Sequence, residues 1–153
     1  MIEDKIKELG LSVPEAAKPL AAYIPAIKVN DLVMTSGQLP TVKGELKFKG
    51  KVGKEVSEEE GMQAAEICAL NCLGAIKGVI GDLDKIEQVV KLTAFVSSAE
   101  GFTAQPKVAN GASELLGKIF GENGKHSRSA VGVSELPIDA PVEIEMIVKL
   151  RQG

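Results

Sequence analysis

The chain has 153 residues, 44% of them hydrophobic and 25% charged, with a formal net charge of −3. That is enough for one domain with a sizeable core, and the balance is unlike that of a disordered chain. The acidic excess offers no general attraction to nucleic-acid phosphates or an anionic membrane, and four Phe, one Tyr and no Trp make a poor base-stacking platform.

No stretch reads as the roughly 18 apolar residues that span a bilayer. The opening MIEDKIKELG mixes acids and bases without the apolar segment of a signal peptide, so the expected compartment is the cytoplasm. Residues 2–9 form an expected short helix, with Ile2, Ile6 and Leu9 on one side and Gly10 as its stop. A loop follows through Pro14 and Pro19. Residues 23–29 and 32–36 read as two strands, and Asn30-Asp31 between them is a hairpin turn signal. Residues 41–56, rich in Gly and Lys, read as a mobile loop with room for a short strand pair.

The clearest element opens at Ser57, which has capping-box spacing to Glu60. Ala65, Cys68, Cys72, Ile76 and Val79 then recur at helical spacing to about residue 80, giving a helix with small residues on its buried side. After a turn at 81–84, the β-branched run 86–97 predicts a strand. A second helix covers 105–120, with Pro106 in its first turn and Gly121 past its end. Two strands close the chain at 128–136 and 142–150. In the last, Val142, Ile144, Met146, Val148 and Leu150 share one face, and Glu143, Glu145, Ile147 and Lys149 the other.

This order, β-β-α-β-α-β-β, predicts an α+β fold with both helices on one face of a mixed sheet, forming one domain over 1–153 with residues 1–20 as an N-terminal extension. The other face is partly apolar too, since Thr93 and Phe95 alternate with Leu92, Ala94 and Val96. Such a face usually meets another subunit, which predicts a homo-oligomer.

Few residues can carry chemistry. One histidine, His126, excludes a histidine-based metal site within one chain, and no Gly-rich phosphate loop or CxxC occurs. Cys68 and Cys72 share a helical face and read as core packing. Arg128, following the polar run 121–127, offers a planar fork that matches a carboxylate, or alternatively a surface pairing with a glutamate. Glu143 and Glu145, on the face where oligomer contacts are expected, are open to two readings: an interface salt bridge, with Arg128 or Lys91 as partner, or a carboxylate tuned to handle a proton or position water.

Four fragments in order resemble the RidA/YjgF family, also known as endoribonuclease L-PSP or translation inhibitor. They are Tyr23 with Thr35-Ser36-Gly37-Gln38-Leu39-Pro40; Val90-Lys91-Leu92-Thr93 through Val96; Phe102 before Asn110; and Ser127-Arg128-Ser129 with Leu136-Pro137 and Val142-Glu143-Ile144-Glu145. The resemblance covers roughly residues 20–150. It implies a chorismate-mutase-like fold, a homotrimer with sites between subunits, and hydrolysis of enamines and imines such as 2-aminoacrylate to 2-keto acids and ammonia, without metal or organic cofactor. By resemblance, Arg128 binds the substrate carboxylate and Glu143 positions water. Tyr23, Ser36, Gly37 and Asn110 complete the substrate-binding set.

Ala130 departs from the cysteine that many members carry, which removes a thiol from the site. His126-Ser127 replaces the more usual pair before the arginine, and the N-terminal 20 residues and the 41–56 loop exceed the compact family core. Three functions fit these residues: an imine deaminase, a small-carboxylate binder without turnover, and a ribonuclease. The acidic charge, scarce aromatics and single histidine weigh against the last.

Overall fold

The computed structural model describes residues 1–16 and 22–153, so Pro19 lies outside the described residues. Two helices, α2 (Glu58–Ile80) and α3 (Gln105–Phe120), cover one face of a five-stranded sheet. The sheet is built from β1 (Ala26–Val29), β2 (Leu32–Thr35), β5 (Ile86–Ser97), β6 (Ser127–Val133) and β7 (Val142–Leu150), in the order β1-β2-β7-β5-β6. All neighbours are antiparallel except β5 and β6, which run parallel and are joined by α3. This is the expected α+β arrangement. A short helix α1 (Ile2–Glu8) precedes it, and a hairpin of β3 (Thr41–Val42) and β4 (Glu45–Leu46) stands outside the main sheet.

Local chemistry explains the element ends. Ser57 accepts from the Glu60 amide while Glu60 reaches back to the Ser57 amide, so the capping box is complete at the start of α2. Asn30 turns the β1–β2 hairpin with a φ of 55°. Strand β6 stops at Val133, not at 136, because its ladder partner β5 ends at Ser97 and nothing remains to pair with. Strand β1 begins at Ala26 rather than 23, leaving Tyr23 and Ile24 exposed ahead of it.

The core lies between the helices and the sheet. Alternation along β7 is as expected, with Val142, Ile144, Met146, Val148 and Leu150 all buried against α2. Small residues let that helix sit close. The Cys68 and Cys72 thiols reach the carbonyls of Val142 and Ile144, at 3.6 and 3.4 Å. Val79 breaks the expected pattern: it is exposed, and the buried place one turn after Ile76 is taken by Ile80 instead. Length and composition alone would let α2 cross a membrane, contrary to the expectation from sequence, yet most of that stretch is buried in this core.

The 41–56 segment is tied down more firmly than its composition suggests. Val52 and Val56 are buried, and Val52 exchanges backbone hydrogen bonds with Ser97 and Ala99. Opposite the helices, the sheet presents Ile27, Val29 and Val131, each more than two-fifths exposed, alongside half-buried Met34, Phe95 and Ile147.

Candidate functional site

The residues singled out from sequence fall into two clusters on the two faces of the sheet. The first surrounds Glu143. Gln38 and Ile144 exchange a pair of backbone hydrogen bonds, at 2.7 and 3.0 Å, which draws the chain at Ser36-Gly37 alongside β7. Gly37 then lies against the Glu143 carboxylate so closely that any Cβ there would collide with it. Its glycine is a matter of close approach. Ser36 is pinned by donating from Oγ to the Ile24 carbonyl at 2.6 Å, while its amide donates to Pro25. Tyr23 stands one residue further back and is exposed.

Glu143 is half-buried, and its register partner is Phe95. Its pKa is raised, first by burial and then by the neighbouring Glu145 carboxylate. Within one copy of the chain neither Arg128 nor Lys91 forms an ion pair with Glu143 or Glu145, and a salt bridge across an interface is not tested by a single copy. Among the described residues no cation lies within ion-pair distance of Glu143 or Glu145. Arg128 leaves the opposite face of the sheet, whereas Lys91 shares the open face with Glu145 and its side chain is exposed to solvent.

The second cluster surrounds Arg128, at the sheet edge beside α3. Arg128 pairs with Leu92 across the parallel ladder and therefore faces the helices. Its Nη1 donates to Asn110 Oδ1 at 2.8 Å and to Ser113 Oγ at 3.1 Å. Asn110 thus touches the arginine directly. Ser113 was not singled out by sequence reasoning, although its place three residues after Asn110 puts both on one helix face. The cleft next to this cluster is lined by Ser113, Gly117, Gly124, Lys125, His126 and Arg128.

The cysteines take no part. Both are fully buried, and burial pushes Cys72 up to about 12 and Cys68 well above the ordinary thiol range. Among the described residues no group of three or more His, Cys, Asp or Glu side chains is placed to hold a metal ion.

A mixed sheet with two helices on one face, an arginine held by helix side chains at its edge and a raised glutamate on its open face define a YjgF/chorismate-mutase-like protein. Residues 3–150 match the family model described as "YjgF/chorismate mutase-like, putative endoribonuclease". Protein TCP17 of Trypanosoma cruzi is 40% identical over 147 residues, 95% of this chain and 92% of that protein. A 2-iminobutanoate/2-iminopropanoate deaminase of Dermatophagoides farinae is 30% identical over 92% of this chain and 95% of that protein. A crystal structure of a protein of unknown function from Agrobacterium tumefaciens superposes with a TM-score of 0.91, at 43% identity over 98% of this chain and 92% of that one. The chain belongs to the RidA/YjgF family.

Proposed function

We propose that the protein hydrolyses reactive 2-imino acids, and the enamines that tautomerise to them, to 2-keto acids and ammonia in clefts between copies of the chain. The observation that carries this reading is the division of the candidate site. Arg128 presents a cation on one face of the sheet, and Glu143 a carboxylate with a raised pKa on the other. One copy cannot bring them together; two copies can, and the apolar open face supplies a surface for that contact. A trimer with three such clefts suits the family, and the cytoplasm suits a chain of this composition.

The chemistry needs little else. A 2-imino acid is already electrophilic at C2, so holding it and delivering water suffices. Arg128 binds the carboxylate in a bidentate pair. Glu143, as carboxylate, takes a proton from water as the water oxygen bonds to C2 and the C=N π bond opens, and it passes that proton to the nitrogen, giving a 2-amino-2-hydroxy acid and restoring the carboxylate. Glu143 then helps transfer the hydroxyl proton to that nitrogen. The C–N bond breaks, ammonia leaves and the C2 carbonyl forms. A raised pKa makes Glu143 a stronger base than an ordinary carboxylate. The Gly37 amide sits beside Glu143 and is suited to meet the imine end of the ligand.

The test is 2-keto acid release from enzymatically generated imines, with wild type and with Arg128→Ala shown to assemble normally. Turnover by wild type and its loss in the variant support the reading. Equal rates defeat the carboxylate clamp. Ligand binding without product identifies a carboxylate-binding protein, and RNA cleavage that survives Arg128→Ala points to the nuclease function carried in the family description.

A further inference from the structure

Beyond Arg128 lies a chain of hydrogen bonds that the mechanism above does not use. Ser113 Oγ, which accepts from Arg128 Nη1, is also 2.9 Å from His126 Nε2. The other ring nitrogen, His126 Nδ1, is 2.6 Å from the Gly124 carbonyl. We propose that His126, acting through Ser113, is a positioning device that fixes the plane of the Arg128 guanidinium so that its Nε/Nη2 edge faces the ligand. This rests on the carboxylate-clamp reading of Arg128.

The hydrogen bonds assign their own directions. A carbonyl only accepts, so the neutral imidazole carries its proton on Nδ1 and donates to Gly124. That leaves Nε2 as an acceptor for the Ser113 hydroxyl proton. With its proton committed to the ring, the Ser113 oxygen is free to accept from Arg128. Nη1 has two hydrogens, and Asn110 and Ser113 take both. Holding both fixes a planar group against rotation. Among the described residues, Nε and Nη2 donate to no protein group, so the side-on fork remains for a carboxylate.

The far end of the chain is rigid. Gly124 is buried against the Leu116 carbonyl with no room for a Cβ, so the acceptor that orients the ring is part of the packed core. Both ring nitrogens are engaged, which argues against His126 meeting the ligand itself. A guanidinium already held in its binding orientation loses less freedom when the ligand arrives.

Two measurements on the full-length assembled protein test this. The first needs no ligand: NMR of the Arg128 side chain follows rotation about its Cζ–N bonds. Slow rotation in wild type and fast rotation in Ser113→Ala support the device; unchanged rotation overturns it. The second is calorimetric titration with pyruvate as a simple 2-keto acid probe.

Ser113→Ala is expected to weaken pyruvate binding about fivefold, while Ser113→Thr, which keeps the hydroxyl, stays within about twofold of wild type. His126→Ala weakens binding by about threefold, and the double variant is no weaker than Ser113→Ala alone, because the histidine acts only through the serine. Additive losses, or failure of the threonine to rescue, overturn the device. Absence of pyruvate binding by wild type instead defeats the carboxylate-clamp reading, and the ligand-free NMR then still decides whether Arg128 is held this way.

Discussion

Arg128 pairs with Leu92 and faces the helices, whereas Glu143 pairs with Phe95 and faces away from them. Strand alternation puts these two side chains on opposite sides of one sheet, a relation no rotamer change can reverse. A site that needs both must therefore take one from each of two copies. Two inactive variants, Arg128→Ala and Glu143→Gln, should then complement each other when mixed and reassembled. In a cyclic assembly formed at random from equal amounts, about a quarter of the interfaces would carry both native residues. Deaminase assays of the mixture should recover about that share of wild-type activity. No recovery, with mixed assembly confirmed by mass spectrometry, would show that the site lies within one copy.

Removing the guanidinium should be far more damaging than removing its charge alone suggests. Arg128→Ala is expected to lower kcat/KM for imino-acid hydrolysis by at least about 10²-fold, since a bidentate, charge-assisted pair is lost in a partly buried site. Arg128→Lys should recover little, because an ammonium cannot bridge Asn110, Ser113 and a carboxylate in one plane. Steady-state kinetics of both variants decides this. A lysine variant near wild type would mean that the site uses only a point charge.

The sequence carried most of the frame because the strongest periodicities lie where the core is. Strand β7 alternates without interruption, and the ends of β5 and α3 coincide with their turn and capping signals. Val79 failed because spacings of three and four both fit a helical stripe, and the buried place after Ile76 goes to Ile80, four residues on. The 41–56 segment misled for a different reason. Most of its glycines and lysines lie at the surface, but the loop is anchored by two buried valines and the buried Gly50. Of the candidate site, the roles came from family resemblance. The pairing of Ser113 with His126 depends on how the 121–124 turn folds back on α3, which no spacing rule foretells.

The buried thiols should be chemically silent. With Cys72 pushed up to about 12 and Cys68 raised as well, almost no thiolate exists at neutral pH, and neither sulfur meets solvent. A thiol-reactive dye should label the native protein at the rate of global unfolding, with denaturant accelerating both in step. Rapid labelling of the native state would show that α2 opens locally away from β7. Cys72→Ala should leave turnover unchanged and lower stability by about 1 kcal/mol or less, through lost packing and the weak bonds to Thr35 and Ile144.

Glu143 should trade stability for reactivity, with a sign fixed by its pKa. Burial first and Glu145 second raise it above the ordinary value of 4.5, so folding favours the protonated form. The stabilisation this group contributes is therefore present in full below about pH 4.5. It is lost as pH rises through the raised folded value, where the carboxylate must ionise beside Glu145. Glu143→Gln removes that ionisation and keeps the shape. Its Tm should exceed that of wild type by roughly 1–3 °C at pH 7 to 8. The gain should shrink to nothing as the pH falls to about 4. Turnover should move the other way, with kcat falling by about 10²-fold or more when the base is gone. Wild-type activity should in turn rise with pH through the raised value, because only the carboxylate can take a proton from water. Thermal melts and pH–rate profiles of the two proteins read all of this. A stability difference independent of pH would place its origin in packing and remove ionisation of Glu143 as the cause.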